Sequence, residues 1–160
     1  MAEFYHDLIT EKSFEILQEF RKKFKFILIG GWAVFLYTKS LKSKDIDMIV
    51  EFAELEKLRI DYDLFKNDRL KKYEIAQEEV QVDIYVPHYS RLGIPTEDVL
   101  SRTHHIEGFH LPTVEDLLVL KHVAHVGRIG TAKGRKDLVD IISLVQLPQL
   151  NWSKVPSQIL

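Results

Sequence analysis

The stretch Phe26–Glu51, FILIGGWAVFLYTKSLKSKDIDMIVE, constrains the fold more than any other part of the chain. An apolar run, Phe26-Ile27-Leu28-Ile29, breaks at Gly30-Gly31. A short apolar segment, Trp32–Tyr37, and a basic, polar connection, Thr38–Lys44, lead into Asp45-Ile46-Asp47-Met48-Ile49-Val50. This reads as a buried strand, a glycine turn, a short helix and a second strand. Residues of like parity on a strand share a face, so Asp45 and Asp47 point one way and Ile46, Met48 and Val50 the other. Two carboxylates heading a run that otherwise belongs in a core are costly unless something compensates their charge. A hard divalent cation, which takes oxygen ligands, is the usual compensation.

A second alternating segment, Val80-Gln81-Val82-Asp83-Ile84-Tyr85-Val86, places Gln81, Asp83 and Tyr85 on one face and the aliphatic residues on the other. Asp is a poor strand former. If this strand neighbours the one after Lys44, Asp83 joins Asp45 and Asp47. Three converging carboxylates suit two Mg²⁺ ions about 3.5–4 Å apart, the arrangement used for in-line phosphoryl and nucleotidyl displacement. The alternative is that these are strand-end aspartates facing solvent.

The remaining pattern predicts an amphipathic helix over 7–23, with Leu8, Phe14, Leu17 and Phe20 at helical spacing and Asp7 or Thr10 as cap. It predicts a strand over Lys25–Ile29, a helix over Trp32–Thr38, a strand over Asp45–Phe52 and a polar helix over 53–67. A hairpin of Arg69–Ala76 and Glu79–Val86 turns at Gln77-Glu78, and a loop runs from Pro87 to Pro95. Val99–Leu111 contains one more short strand. A helix capped by Thr113 runs to Val126, a glycine-punctuated basic loop spans Gly127–Gly134, and a last helix covers Arg135–Gln146. The core is then about 7–111, the C-terminal helices 113–146, and 147–160 an irregular tail of one single domain. The expected class is α/β (α+β), a small mixed β-sheet flanked by helices, with the helices on one side.

Length and composition fit this: 160 residues support a real core, and 46% hydrophobic with 29% charged residues describes a soluble globular chain. A net charge of −2 leaves no global nucleic-acid footprint, so any basic patch must be local. The absence of cysteine excludes disulfides, thiolate zinc sites and cysteine nucleophiles. No apolar segment is long enough to span a bilayer and the N-terminus lacks a signal-peptide core, so no membrane partner and a cytoplasmic location are expected.

Ile29-Gly30-Gly31, the spacer Trp32–Lys44 and Asp45-Ile46-Asp47-Met48 together resemble the signature of the DNA polymerase beta-type nucleotidyltransferase superfamily, and most of all its minimal, abortive-infection toxin-like branch. The resemblance covers about a sixth of the chain. It implies the nucleotidyltransferase fold with a helical C-terminal section. It also implies Mg²⁺-dependent transfer of a nucleoside monophosphate from an NTP such as ATP to a hydroxyl of RNA, protein or a small molecule. Asp45, Asp47 and Asp83 would be the metal-binding and catalytic carboxylates, with Asp83 helping to activate the hydroxyl. Gly30 and Gly31 would seat the triphosphate, although a tight strand-to-helix turn uses two glycines equally well. A toxin-like relative implies an antitoxin partner. A non-catalytic nucleotide- or partner-binding module of the same fold is the alternative.

The spacer departs from the family where relatives carry Arg and Thr four and two residues before the first Asp; Leu41 and Ser43 stand there. Ser43 is a fair substitute, and phosphate contact passes to Lys39, Lys42 or Lys44 unless these are solvated lysines. By the same resemblance Lys121, set among Val114, Leu117 and Leu118, either contacts the triphosphate or snorkels from the edge of its stripe. Arg128, Lys133, Arg135 and Lys136 form the clearest basic segment, suited to a phosphate-bearing acceptor or simply a mobile loop. In the last helix Leu138, Ile141, Ile142 and Val145 are expected in the core, with Asp140 in a surface pair. His122 and His125 read as ordinary helix residues, and His104, His105 and His110 have no identifiable partners.

Overall fold

The structure is a computed structural model that describes residues 2–155, with side chains from residue 5 onward. Among the described residues, strands β1 (Ile27–Ile29), β2 (Ile46–Ile49), β3 (Phe65–Asn67), β4 (Lys72–Gln77), β5 (Val80–Tyr85), β6 (Thr103–Ile106) and β7 (Phe109–Pro112) form one sheet. Their order is β3-β4-β5-β2-β1-β7-β6. The helices are α1 (Ala2–Lys23), α2 (Gly30–Thr38), α3 (Phe52–Asp61), α4 (Thr96–Ser101), α5 (Val114–Val126) and α6 (Ala132–Val145). The sheet is mixed: β2 runs antiparallel to β1 and parallel to β5, and β1 runs parallel to β7.

Alternation sorts each central strand into two faces. Leu28, Ile46, Met48, Val82 and Ile84 turn to the main core, where Leu17 and Phe20 of α1, Trp32 of α2, and Leu55 and Leu58 of α3 cover them. Each such side chain, fully buried, contributes roughly 1.5–3 kcal/mol. Trp32 also donates its indole N–H to Ser13 Oγ at 2.8 Å, so the buried polar edge is satisfied. On the other face Ile27, Ile29 and Ile49 meet Val99 of α4 and Val119 and Leu120 of α5. Helices therefore cover both faces, not one. The carboxylate-bearing positions of β2 and β5 belong to this second, less covered face.

The expected β1–α2–β2 order and the β4–β5 hairpin are present, with several differences. The first helix starts before residue 7, so Asp7 and Thr10 lie inside it, and Ile9 and Ile16 are buried where Leu8 is exposed. The 53–67 helix ends at Asp61 and its last residues become β3. The hairpin turns at Glu78-Glu79, whose φ values of 49° and 70° are both left-handed. Residues 99–111 hold the end of α4 and the β6–β7 hairpin.

The last helix begins at Ala132, not Arg135: Thr131 caps it by accepting from the Gly134 N–H. Lys133, Arg135 and Lys136 are thus helical residues, and the flexible basic loop shrinks to 127–131. The helix is also turned the other way. Asp137 and Asp140 are buried, 1% and 0% exposed, while Leu138 and Ile142 face solvent at 45% and 47%. The carboxylates turn inward because the buried Lys121 of α5 and Arg128 just after it meet them. The tail packs Val155 into the core and forms a 3-10 turn at Trp152–Lys154; residues 156–160 of the expected tail lie outside the described residues.

Candidate active site

Strand register brings the predicted carboxylates together. Asp47 lies opposite Ile29, the residue before the glycine pair, and pairs with Asp83 on the neighbouring parallel strand. Asp45, just before β2, shares the parity of Asp47. All three line a cleft of about 390 Å³. Burial, then Asp83, and more weakly Asp45, push the Asp47 carboxyl up to about 7, against the opposing pull of Lys121 and Lys72. Burial first, then Asp47 and Asp83, also raise the Tyr85 hydroxyl. The cleft therefore holds more negative charge around Asp47 than its surroundings neutralise.

Two lysines partly occupy the place of a cation. Lys72 Nζ lies 3.0 Å from Asp83 Oδ2, and Gln81 donates to Asp83 Oδ1 at 2.9 Å. Lys133 Nζ lies 3.7 Å from Asp45 Oδ2 on the open side. Among the described residues no three metal-ligating side chains form a preformed coordination set. The donor chemistry nevertheless fits a hard divalent ion: oxygen ligands from Asp45 and Asp47, on one face, with an Asp47 carboxyl whose ionisation is held back first by burial and then by the neighbouring Asp83.

The glycines are required by close approach. Gly30 begins α2 with a left-handed φ of 70°, and a Cβ there would stand 2.9 Å from Asp47 Cβ and Cγ. At Gly31 a Cβ would stand 2.8 Å from Ser43 Oγ and 2.9 Å from Lys136 Nζ. The first turn of α2, with its unpaired N–H groups, is thus bracketed by Asp47 on one side and the Lys136 ammonium on the other. Ser43 is buried and spends its hydroxyl locally, donating to the Asp45 carbonyl at 2.9 Å.

Behind this turn lies an ion network that joins the two C-terminal helices. Lys121, 6% exposed, sits 3.2 Å from Asp137 Oδ1 and 2.9 Å from Asp140 Oδ2. Arg128 grips Asp137 with two hydrogen bonds of 2.7 Å, and Lys136 reaches Asp140 Oδ2 at 3.3 Å. Burial alone would raise Asp137, but Arg128 and Lys121 hold its carboxyl below the ordinary range. Among the described residues Asp140 Oδ1 has no hydrogen-bond partner.

Several sequence-predicted roles change accordingly. Lys121 does not snorkel to solvent: it lines the cleft and is held by two buried carboxylates, Asp137 and Asp140. Arg128 lines the cleft but is committed to Asp137. Asp140 is not a surface partner. Lys133 and Lys136 line the cleft, whereas Lys44 and Arg135 are exposed outside it. Lys39 pairs with Glu107 at 2.9 Å, away from the carboxylates. His125 contacts the Gly134 carbonyl at 2.9 Å, His104 lies 3.3 Å from the Tyr37 hydroxyl, and His105 stacks on His110; none of these lines the cleft. Tyr85 lines the cleft beside Asp83, on the face its alternation assigned, whereas Lys72 and Asp137 are charged lining residues not expected from the sequence. The alternation of β4 contained the signal for Lys72, since either placement of the hairpin turn sets it on the face of Asp83.

No family model matches the chain, and no curated protein matches it. Solved structures do. The Megavirus polyadenylate synthase superposes with a TM-score of 0.55 at 18% identity over 85% of this chain, which spans only 31% of that enzyme. A candidate nucleotidyltransferase from Thermotoga maritima superposes with a TM-score of 0.54 at 13% identity, over 81% of this chain and 94% of that one. The chain has the nucleotidyltransferase fold. Its glycine turn and paired aspartates occupy the strand–helix–strand unit expected from that resemblance.

Proposed function

We propose that the protein is a nucleotidyltransferase that moves a nucleoside monophosphate from an NTP to an acceptor hydroxyl and releases pyrophosphate, with Mg²⁺ as cofactor. The observation that carries this is the register of Asp47 between Ile29 and Asp83, with its carboxyl raised to about 7 and the Gly30 turn packed against it. The N–H groups of the first turn of α2 and the Lys136 ammonium would bind the triphosphate tail. Asp45 and Asp47 would hold the metal. Bound Mg²⁺ supplies charge neutralisation and polarisation at the phosphate being attacked. Asp83, ion-paired with Lys72 at 3.0 Å, would accept the acceptor's hydroxyl proton. The acceptor oxygen then bonds to the α-phosphorus as the bond to pyrophosphate breaks, and the pyrophosphate charge remains against α2 and Lys136.

A second reading is a nucleotide-binding module of the same fold without catalysis. It is favoured by Lys72 and Lys133, which already stand at two of the three carboxylates. A toxin-like role with an antitoxin partner would use the exposed apolar stripe of Leu138, Val139 and Ile142, and co-purification would test it. The deciding experiment incubates the protein with labelled NTPs and Mg²⁺ and a panel of RNA, protein and small-molecule acceptors. Transfer that is lost in Asp47→Asn supports the enzyme. Mg²⁺-dependent NTP binding with no label transferred to any acceptor or to water supports the binding module.

A further inference from the structure

Two segments, around Leu70–Lys72 and Leu92, contribute to the lining of the cleft. The same two segments continue outward into a second, polar cleft of about 380 Å³, lined by Lys71, His88, Tyr89, Ser90 and Arg91 among others. The two clefts share one ridge: Leu70 and Lys72 face the carboxylates, and Lys71 between them faces the outer cleft.

That ridge is built firmly. Ser90 donates to the Lys71 carbonyl at 2.7 Å and accepts from the Val86 N–H at 3.0 Å. Asn67 Oδ1 accepts from the Leu70 N–H at 3.0 Å, and Tyr89 donates to Asp68 at 2.8 Å. Lys71 and His88, which both line the outer cleft, adopt left-handed φ values of 56° and 65°. Non-glycine residues hold that conformation at a cost, and such residues gather where a surface has work to do.

The ridge is also basic. Among the described residues no carboxylate lies within ion-pair distance of Arg69, Lys71 or Arg91; the local anion Asp68 is held by Lys66 and Tyr89. Lys71 instead rests on the face of Tyr89, with Nζ 5.4 Å from the ring centroid, which holds the ammonium in one place. Glu97 also lines the outer cleft, so the local balance is four cations, Lys66, Arg69, Lys71 and Arg91, against two carboxylates, Asp68 and Glu97; on a chain of net charge −2 this is a local positive excess.

Resting on the nucleotidyl-transfer reading, we propose that the acceptor is a nucleic-acid strand whose phosphodiester backbone lies along Arg69, Lys71 and Arg91 and whose terminal hydroxyl enters the cleft at Asp83. Lys72 ties the ridge to Asp83, whereas Lys136 stands at the Gly31 turn, so acceptor and triphosphate would be held by different parts of the lining, which suits the separate attacking and leaving oxygens of in-line displacement. A cationic small molecule would be repelled by the same ridge. This differs from the basic segment expected from sequence, whose Arg128 is spent on Asp137.

The test is fluorescence anisotropy with a labelled single-stranded RNA and a DNA of the same sequence, at 50–300 mM NaCl, on the parent and on Arg69→Gln/Lys71→Gln/Arg91→Gln. Binding needs no NTP, so it is read separately from transfer. The variant should bind on the order of tenfold more weakly at low salt, and its slope of log affinity against log salt should flatten by about 2, from roughly 0.7 per phosphate contact. Mg²⁺–NTP binding should be unchanged, which also reports that the variant is folded; Arg91→Glu alone should show a smaller loss in the same direction. Preference for RNA over DNA assigns the strand type. A parent that binds neither strand, or a variant that binds like the parent, overturns the proposal. If strand binding behaves as expected but the parent transfers no label, the ridge stands and the transfer reading falls.

Discussion

Replacing Asp47 by Asn should stabilise the metal-free protein at neutral and alkaline pH. The carboxyl ionises near 7 in the fold and near 3.8 in the unfolded chain. Between those values the folded state holds a proton that the unfolded state has released. Stability from this group is therefore greatest below about pH 4, falls as pH rises, and is fully lost above about pH 7. The difference between those two values corresponds to a cost on the order of 4 kcal/mol, shared with the neighbouring carboxylates. Asn has nearly the same shape and no charge to desolvate. Urea denaturation of both proteins in chelator from pH 4 to 8 should give curves that nearly coincide at pH 4, diverge with the variant more stable, and level off above pH 7 at about 2–4 kcal/mol. Mg²⁺ should then raise the stability of the parent and not of the variant. A difference that does not change with pH, or a variant less stable at pH 8, would refute the account of Asp47 as an uncompensated buried carboxyl.

Asp137→Ala should destabilise the protein by about 3–5 kcal/mol in urea, because Lys121 would lose one of its two buried partners and Arg128 the carboxylate it grips with two hydrogen bonds. Lys136→Met should weaken Mg²⁺–NTP binding by about tenfold in calorimetry, the loss of one charge-assisted phosphate contact, while the denaturation midpoint changes little, since Lys121 still holds Asp140. Glu78→Asn with Glu79→Gly should raise stability by roughly 1 kcal/mol, because both positions are left-handed and the pair suits a two-residue hairpin turn; a lower thermal midpoint would argue against this turn.

The strand–turn–helix–strand unit was legible because its constraints are local. Alternation assigns the faces of β2 and β5, and the glycines mark where backbone must approach Asp47. Asp83 was legible for the same reason, once β5 was set beside β2. The β6–β7 hairpin was not recovered, although Glu107-Gly108, with φ values of 51° and 85°, carries a turn signal. The inverted α6 had no local signal. Hydrophobic periodicity weighs one helix at a time, and by that measure Leu138, Ile142 and their neighbours belong inside. The deciding partners, Lys121 and Arg128, lie in and just after another helix.

Charge counted across elements, not along them, explains both the inversion and the site. On the α6 side three cations, Lys121, Arg128 and Lys136, meet two carboxylates, Asp137 and Asp140. On the β2–β5 side three carboxylates, Asp45, Asp47 and Asp83, meet two lysines, Lys72 and Lys133. One positive charge is left over beside Gly31 and one negative charge beside Gly30. Burying either imbalance alone would be unfavourable. Set a few ångströms apart across the first turn of α2, they complement a ligand that carries a cation at one end and a phosphate anion at the other. Turning Leu138 and Ile142 outward forgoes apolar burial, and what it secures is the position of Lys136: Asp140 can hold that ammonium at the glycine turn only if the charged face of α6 points inward.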